Sequence, residues 1–428
     1  MVKKINRKRK SGKKTSKLKR FFKLLGPGLV TGASDDDPSG IATYTQAGAQ
    51  FGITTLWTAL LSFPLMVSMQ EMCARIGIVT SKGLTGTIKT HYPKPILYGM
   101  IAFTVPAILL NIGADIAAMG AVGNLIIPGI SSHFFSIVFT GILIGLIIYL
   151  PYQRIASILK YLCLVLLLYL VVPFLTRQDW GDIFKHTFIP TIRFDKEFIS
   201  ILIAIFGTTI SPYLFFWQTN MEAEETQHLK RKLVVDRRVI HNMELDVDLG
   251  MSFSTLIMYF LMLTAGTVLF QGGIHQVNTV EEAAKALEPL AGELSSLLFA
   301  IGVLGAGFLA IPVLSGCLSY MLSEAFGWQE GLDKKFYQAK PFYYVIIISL
   351  LIGLAINFIG ISPVHALLYT AILYGVTAPV SIVLVLLISN NKKIMGKYTN
   401  GKRANILGLI ALFLMTAGAL TLLYFQFT

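Results

Sequence analysis

Long apolar runs divided by short polar stretches set the rhythm of this chain. Runs near the 20 residues a helix needs to cross a bilayer fall at 24–47, 55–74, 97–125, 132–151, 156–176, 197–218, 248–270, 294–326, 342–360, 364–390 and 404–427. Eleven spans are therefore expected, in an all-α polytopic membrane protein, because a helix satisfies its own backbone groups inside hydrocarbon. Two of these runs are interrupted. The first, Gly26 to Gly52 (GPGLVTGASDDDPSGIATYTQAGAQFG), carries Asp35, Asp36, Asp37, Pro38, Ser39 and Gly40 at its centre. The sixth carries Gly207-Thr208-Thr209-Ile210-Ser211-Pro212.

Proline removes an N–H and glycine adds freedom, so the first span should break at 35–40. Taken alone, DDDPSG would also suit a surface loop between two short helices. Apolar residues on both sides add up to one span, however, and acids inside a membrane mark a functional site by default. Irregular backbone at that depth must line a cavity or be buried, and its carbonyls and carboxylates then suit a cation. The two breaks lie five spans apart, the pattern of inverted five-helix repeats with a site between them. The expected organisation is a tail at 1–23, a core at 24–390 with repeats at 24–176 and 197–390, and an inner loop with the eleventh helix at 391–428.

Composition agrees: 54% of residues are hydrophobic and 14% charged, unlike any soluble globular class. The net charge of +13 belongs largely to a tail, since twelve Lys and Arg lie within residues 1–23. Beside a membrane span such a cluster holds anionic lipid and fixes orientation. No nucleic-acid partner is called for, and the stretch does not read as a signal peptide. With the tail inside, predicted inner loops hold basic groups such as Arg75, Lys82, Arg154, Lys160, Lys230, Arg231, Lys232, Lys334 and Lys392, while 49–54, 126–131 and 359–363 hold none. The N-terminus is thus expected in the cytoplasm and the C-terminus outside, in the plasma membrane, with a monomer as the expected state. Cys73, Cys163 and Cys317 stand in apolar surroundings and read as buried thiols.

The first-span motif resembles that of the NRAMP family of divalent-metal transporters, which has GPG, DPGN and QAGAQFG blocks there. The resemblance covers roughly 24–390, through Arg75-Ile76-Gly77-Ile78, Asn111 to Asp115, GTTISP and LFAIGVLGAG (298–307). It implies the leucine-transporter fold with a metal between the first and sixth spans. By the same resemblance the metal set is Asp37, Ser211, Thr208, Gly40 and Ser39. Asp36, Asp35, Asp115, Tyr213, Gln218 and Thr377 are expected behind it or along the pathway. Ser211 would equally serve as a cap on an unwound carbonyl. Tyr44, Gln46 and Thr43 are expected to hydrogen-bond across helices, and Asp246 and Asp248 to be solvated at the inner end of the seventh span.

This chain departs from the family at the ligands. Gly40 stands for an asparagine, Ser211 for a methionine, Tyr213 and Gln218 for two histidines, and Ala118 for a glutamate. A thioether favours soft transition metals, so its loss points to a hard ion that keeps several waters, as Mg²⁺ does. The pattern is similar to the NRAMP-related magnesium transporters. Import of Mg²⁺ and/or Mn²⁺ without proton coupling is the expectation, with a proton-coupled Mn²⁺/Fe²⁺ symporter as the alternative. An organic-substrate symporter is disfavoured by three aspartates. An enzyme is disfavoured by the absence of HExxH, GxSxG or a phosphate-cradling loop, and no resident cofactor is expected beyond the transported ion.

Overall fold

The computed structural model describes residues 27–150, 154, 164–228 and 235–427. It is helical, with no strand among the described residues. The first run forms α1 (Pro27–Asp35) and α2 (Pro38–Phe51), and a 3-10 turn then leads to α3 (Trp57–Thr80). A short α4 (Leu84–His91) precedes α5 (Lys94–Ile126) and α6 (Ser132–Tyr149). Beyond the 3-10 stretch Leu164–Leu170 come α7 (Val172–Leu175) and α8 (Trp180–Phe188). The sixth run splits into α9 (Lys196–Thr209) and α10 (Pro212–His228), and α11 (Arg237–Val268) follows. The next connection is itself helical, with α12 (Val280–Ala284) and α13 (Glu288–Ala291). The chain closes with α14 (Ser295–Phe326), α15 (Lys340–Ile356), α16 (Pro363–Asn390), α17 (Lys392–Met395) and α18 (Lys402–Phe427).

Eight helical segments are long and apolar enough to cross a membrane, or nine if Pro38–Thr55 and Trp57–Thr80, bent by 109°, count as one span. The expected eleven are not reached among the described residues. The first run is broken, α3 carries Gln70, Glu71 and Arg75 within its apolar length, and 156–163 of the fifth run lie outside the described residues. So do the basic tail 1–23, Cys163, Lys160, Lys230, Arg231 and Lys232.

Two helices outrun the apolar windows that announced them. α10 continues to His228 and α11 already starts at Arg237, because polar turns remain helical once their N–H groups are capped. Asp236 supplies one such cap, accepting from the amides of Arg238 and Val239 at 2.9 Å each. Asp246, expected to be solvated, is instead 5% exposed and accepts from the Gly28 amide at 2.7 Å, capping the start of α1. Asp248 is partly buried.

Glycines set the close crossings that frame the centre. A Cβ on Gly32 of α1 would strike the Gly250 carbonyl of α11, and one on Gly207 of α9 would strike the Ala371 carbonyl of α16. Small residues allow such backbone approach where lipid offers no hydrophobic drive. Cys73 and Cys317 are buried free thiols.

Candidate cation site at the broken helices

The first break is narrower than the sequence suggests. α1 ends at Asp35 and α2 begins at Pro38, so only Asp36 and Asp37 lie between them. Pro38 is at the first helical position, where its missing N–H costs nothing. Asp37 is extended (φ −70°, ψ 172°) and caps α2, its Oδ1 accepting from the Gly40 amide at 2.7 Å. Ser39 and Gly40, expected inside the break, are therefore helical. The second break falls at Ile210–Ser211, between α9 and Pro212.

The other oxygen of Asp37 accepts from Asn111 Nδ2 at 3.0 Å. Asn111 Oδ1 in turn accepts from the Thr370 hydroxyl at 2.9 Å, so a chain of two bonds ties the carboxylate to α5 and α16. The Gly40 side of Asp37 faces the second break: a Cβ on Gly40 would stand 3.5 Å from Thr208 Oγ1 and 3.4 Å from the Asp35 carbonyl oxygen. Gly40 beside the first break and Thr208 of the second thus come together. Ser211 is there, but its hydroxyl donates back to the Thr208 carbonyl, with the Gly207 carbonyl 3.2 Å away. The Ser39 hydroxyl turns away and donates to the Leu367 carbonyl at 3.1 Å.

The outer set divides. Asp35 and Asp36 flank the break and share the Ser254 hydroxyl of α11, at 2.7 and 3.3 Å. Asp115 is fully buried, with no hydrogen-bond partner for either oxygen among the described residues. Tyr213 donates to the Ser34 carbonyl at 3.2 Å, linking the second break to α1, and its ring lies 5.6 Å from Tyr374. Gln218 sits lower, bonded to Thr31 and to Glu222. Thr377 is not brought to the site: its hydroxyl donates to the Leu373 and Tyr374 carbonyls of its own helix. Tyr44 does bond across helices, to Thr209 at 2.9 Å, and Gln46 accepts from the Val277 amide at 2.9 Å. Thr43 has no partner among the described residues, contrary to expectation. Ser254 was not foreseen; a lone hydroxyl in an apolar span carries no pattern. Asn111 was legible as a polar residue within a membrane run, but its pairing with Asp37 was not.

The central residues Asp37, Thr208 and Ser211, and Asp115 of the outer set, are all buried, at most 2% exposed. The centre is buried and rich in oxygen. Nearby sulfurs are engaged elsewhere, Met258 Sδ against the Thr209 hydroxyl at 3.7 Å and the Cys317 thiol on the Tyr213 carbonyl at 3.3 Å. Buried carboxylate, hydroxyl and carbonyl oxygens are what a hard cation binds. No cluster of three or more His, Cys, Asp or Glu fit to hold a metal occurs among the described residues, so any ion here relies on carbonyls, hydroxyls and its own water.

The comparisons with known proteins bear on the fold and the family. The chain is 25% identical over 95% of its length to the divalent metal cation transporter MntH of Caldanaerobacter subterraneus, covering 94% of that protein. It is 27% identical over 97% of its length to the protein of the same name in Clostridium acetobutylicum, covering 93% of it. Among solved structures, a manganese transporter of Eremococcus coleocola matches with a TM-score of 0.74 at 17% identity, over 95% of this chain and 87% of that one. Mhp1, a nucleobase-cation-symport-1 family transporter, matches at 0.59 and 11% identity, over 93% and 92%. These likenesses show the leucine-transporter-like fold. The model of natural resistance-associated macrophage protein-like sequences matches residues 28–425, and with nearly the whole chain so matched, the protein belongs to the Nramp family.

Proposed function

We propose that this protein imports a divalent metal ion, Mg²⁺ and/or Mn²⁺, by alternating access across the plasma membrane. The observation that carries the reading is the buried Asp37 carboxylate between the two helix breaks, held by the Gly40 amide and the Asn111 side chain. The metal is cargo, held by Asp37 with the Gly40 region, Thr208, Ser211 and the carbonyls of 207–211, and Ser39 supports the site by tying α2 to the Leu367 carbonyl of α16. The chain is a carrier and not an enzyme, with the N-terminus in the cytoplasm, the C-terminus outside and the basic tail on anionic lipid.

The preference for a hard ion rests on Ser211, where the family has a thioether, and on an inner set made of oxygens. Independence from protons rests on Tyr213, Gln218 and Ala118, which stand where the family has two histidines and a glutamate and so deplete the proton relay. An interior-negative potential of 100 mV gives a divalent ion about 4.6 kcal/mol, twice the value for one charge, enough for more than a thousandfold accumulation. One observation favours the alternative of a proton-coupled Mn²⁺/Fe²⁺ symporter: Asp115 is buried without a partner and could carry a proton.

Proteoliposome uptake tests the reading. Asp37→Ala should abolish metal-dependent uptake while the purified protein keeps its elution profile and helicity. Undiminished uptake in that variant would move the site elsewhere. An internal pH dye should stay flat during metal entry, and acidification that depends on metal would select the symporter.

A further inference from the structure

Both oxygens of Asp37 are engaged, yet the two acids before it have oxygens to spare. Asp35 Oδ1 and Asp36 Oδ2 have no hydrogen-bond partner among the described residues, and the side chains are 0% and 1% exposed. Their shared neighbour is the Ser254 hydroxyl, 2.7 Å from Asp35 Oδ2 and 3.3 Å from Asp36 Oδ1. A hydroxyl has one hydrogen to give, so four carboxylate oxygens share a single donor. Neither acid forms an ion pair with a lysine, arginine or histidine among the described residues. Both stand at the C-terminal end of α1, where free carbonyls add partial negative charge. Uncompensated charge at this depth is costly, and either a proton or a bound cation compensates it; a cation does so for both acids at once.

We infer that Asp35, Asp36 and Ser254 hold a second hard divalent cation, on the α11 side of the break, beside the ion at Asp37. The inference rests on the transport reading, since both ions come from one cargo class. The donors are all oxygen, and two carboxylates match the charge of one divalent ion, which completes its shell with carbonyls and water. The two positions are separate because the carboxylates face different partners. Asp37 is fixed by its own helix and by Asn111 of α5, whereas Asp35 and Asp36 gather on Ser254 of α11. Adjacent divalent ions repel, so filling one position loosens the other. Such multi-site occupancy lets a tight site release its ion.

Equilibrium dialysis of Mn²⁺ against the purified full-length protein in detergent, at fixed pH, tests this. Wild type should bind about two Mn²⁺ per chain, and Asp36→Asn, Ser254→Ala and Asp37→Ala should each leave about one. Ser254→Ala removes only a hydroxyl and serves if Asp36→Asn does not fold. One Mn²⁺ in wild type, lost in Asp37→Ala and kept in Asp36→Asn, would overturn the second position and leave the transport reading intact. One Mn²⁺ lost in every variant would also overturn it, since a single ion would then span both groups. Absence of Mn²⁺ binding in wild type would overturn both readings.

Discussion

At the scale of single residues, the site is governed by which hydrogen bonds are already made. Asp37 is held by the Gly40 amide and by Asn111, which Thr370 fixes in turn. Cutting that chain with Asn111→Ala should raise the metal concentration for half-maximal uptake by about tenfold, the equivalent of one hydrogen bond to a charged group at about 1.4 kcal/mol. Thr370→Val should act in the same direction but less, since Asn111 keeps its bond to Asp37; equal losses from both would mean that the side chains matter only for folding. Ser211 poses a different question, because its hydroxyl is spent on the Thr208 carbonyl. Ser211→Met should shift the preference from Mg²⁺ towards Mn²⁺ and Cd²⁺ in competition uptake, as a thioether replaces an oxygen. An unchanged ion order in that variant would show that selectivity resides elsewhere. The identity of Asp37 was legible in the sequence, because an acid before a proline inside a membrane run is rare and expensive. The Ser254 hydroxyl was not, since its meaning depends on α11 crossing α1, which no local spacing announces.

At the scale of elements, breaks and crossings were unequally legible. Proline and glycine marked both interruptions, but capping decided their width: Asp37 captures the Gly40 amide, so the helix resumes at once. The polar ends of α10 and α11 were missed because hydropathy sees only the lipid-facing length. The glycine contacts between α9 and α16 leave no room for a methyl group. Gly207→Ala should therefore overpack that crossing, at about 1–3 kcal/mol, and lower the midpoint of thermal unfolding in detergent by several degrees. A neutral result would mean that α9 can slide. The connection after α14 carries a pH handle. Burial pushes the Glu330 carboxyl up to about 8, with Glu324 nearby adding to the rise. A folded-state value above the ordinary one means that folding retains the proton. The contribution is full below about pH 4.5 and is lost as pH rises towards 8. Thermal stability should thus fall between pH 5 and about 8, and Glu330→Gln should flatten that slope. A slope identical to wild type would assign the pH dependence to other groups.

At the scale of the whole molecule, the described residues form a closed carrier. On one side of its centre Gln46 meets Val277, with the apolar lining of Ile41, Val280, Phe299 and Leu367 beneath. Elsewhere Tyr213 bonds to Ser34 and Thr31 to Gln218. Glu324 adds a further tie, accepting from the Gly83 and Gly86 amides at 2.6 and 2.9 Å. Glu324→Gln should weaken that tie and raise the initial rate of metal release to the inner side, read by stopped-flow with an entrapped metal dye; an unchanged rate would remove the tie from the transport cycle. A carrier that works without a counter-ion must also make its return trip unloaded, and the bonds to Asp37 bear on that step. The Gly40 amide and the Asn111 side chain offer the carboxylate two partial positive charges, so the ion-free Asp37 is not a bare charge in apolar surroundings. The turnover of such a carrier is not tethered to having metal on the far side: net filling of empty vesicles and one-for-one exchange into preloaded ones should proceed at similar rates.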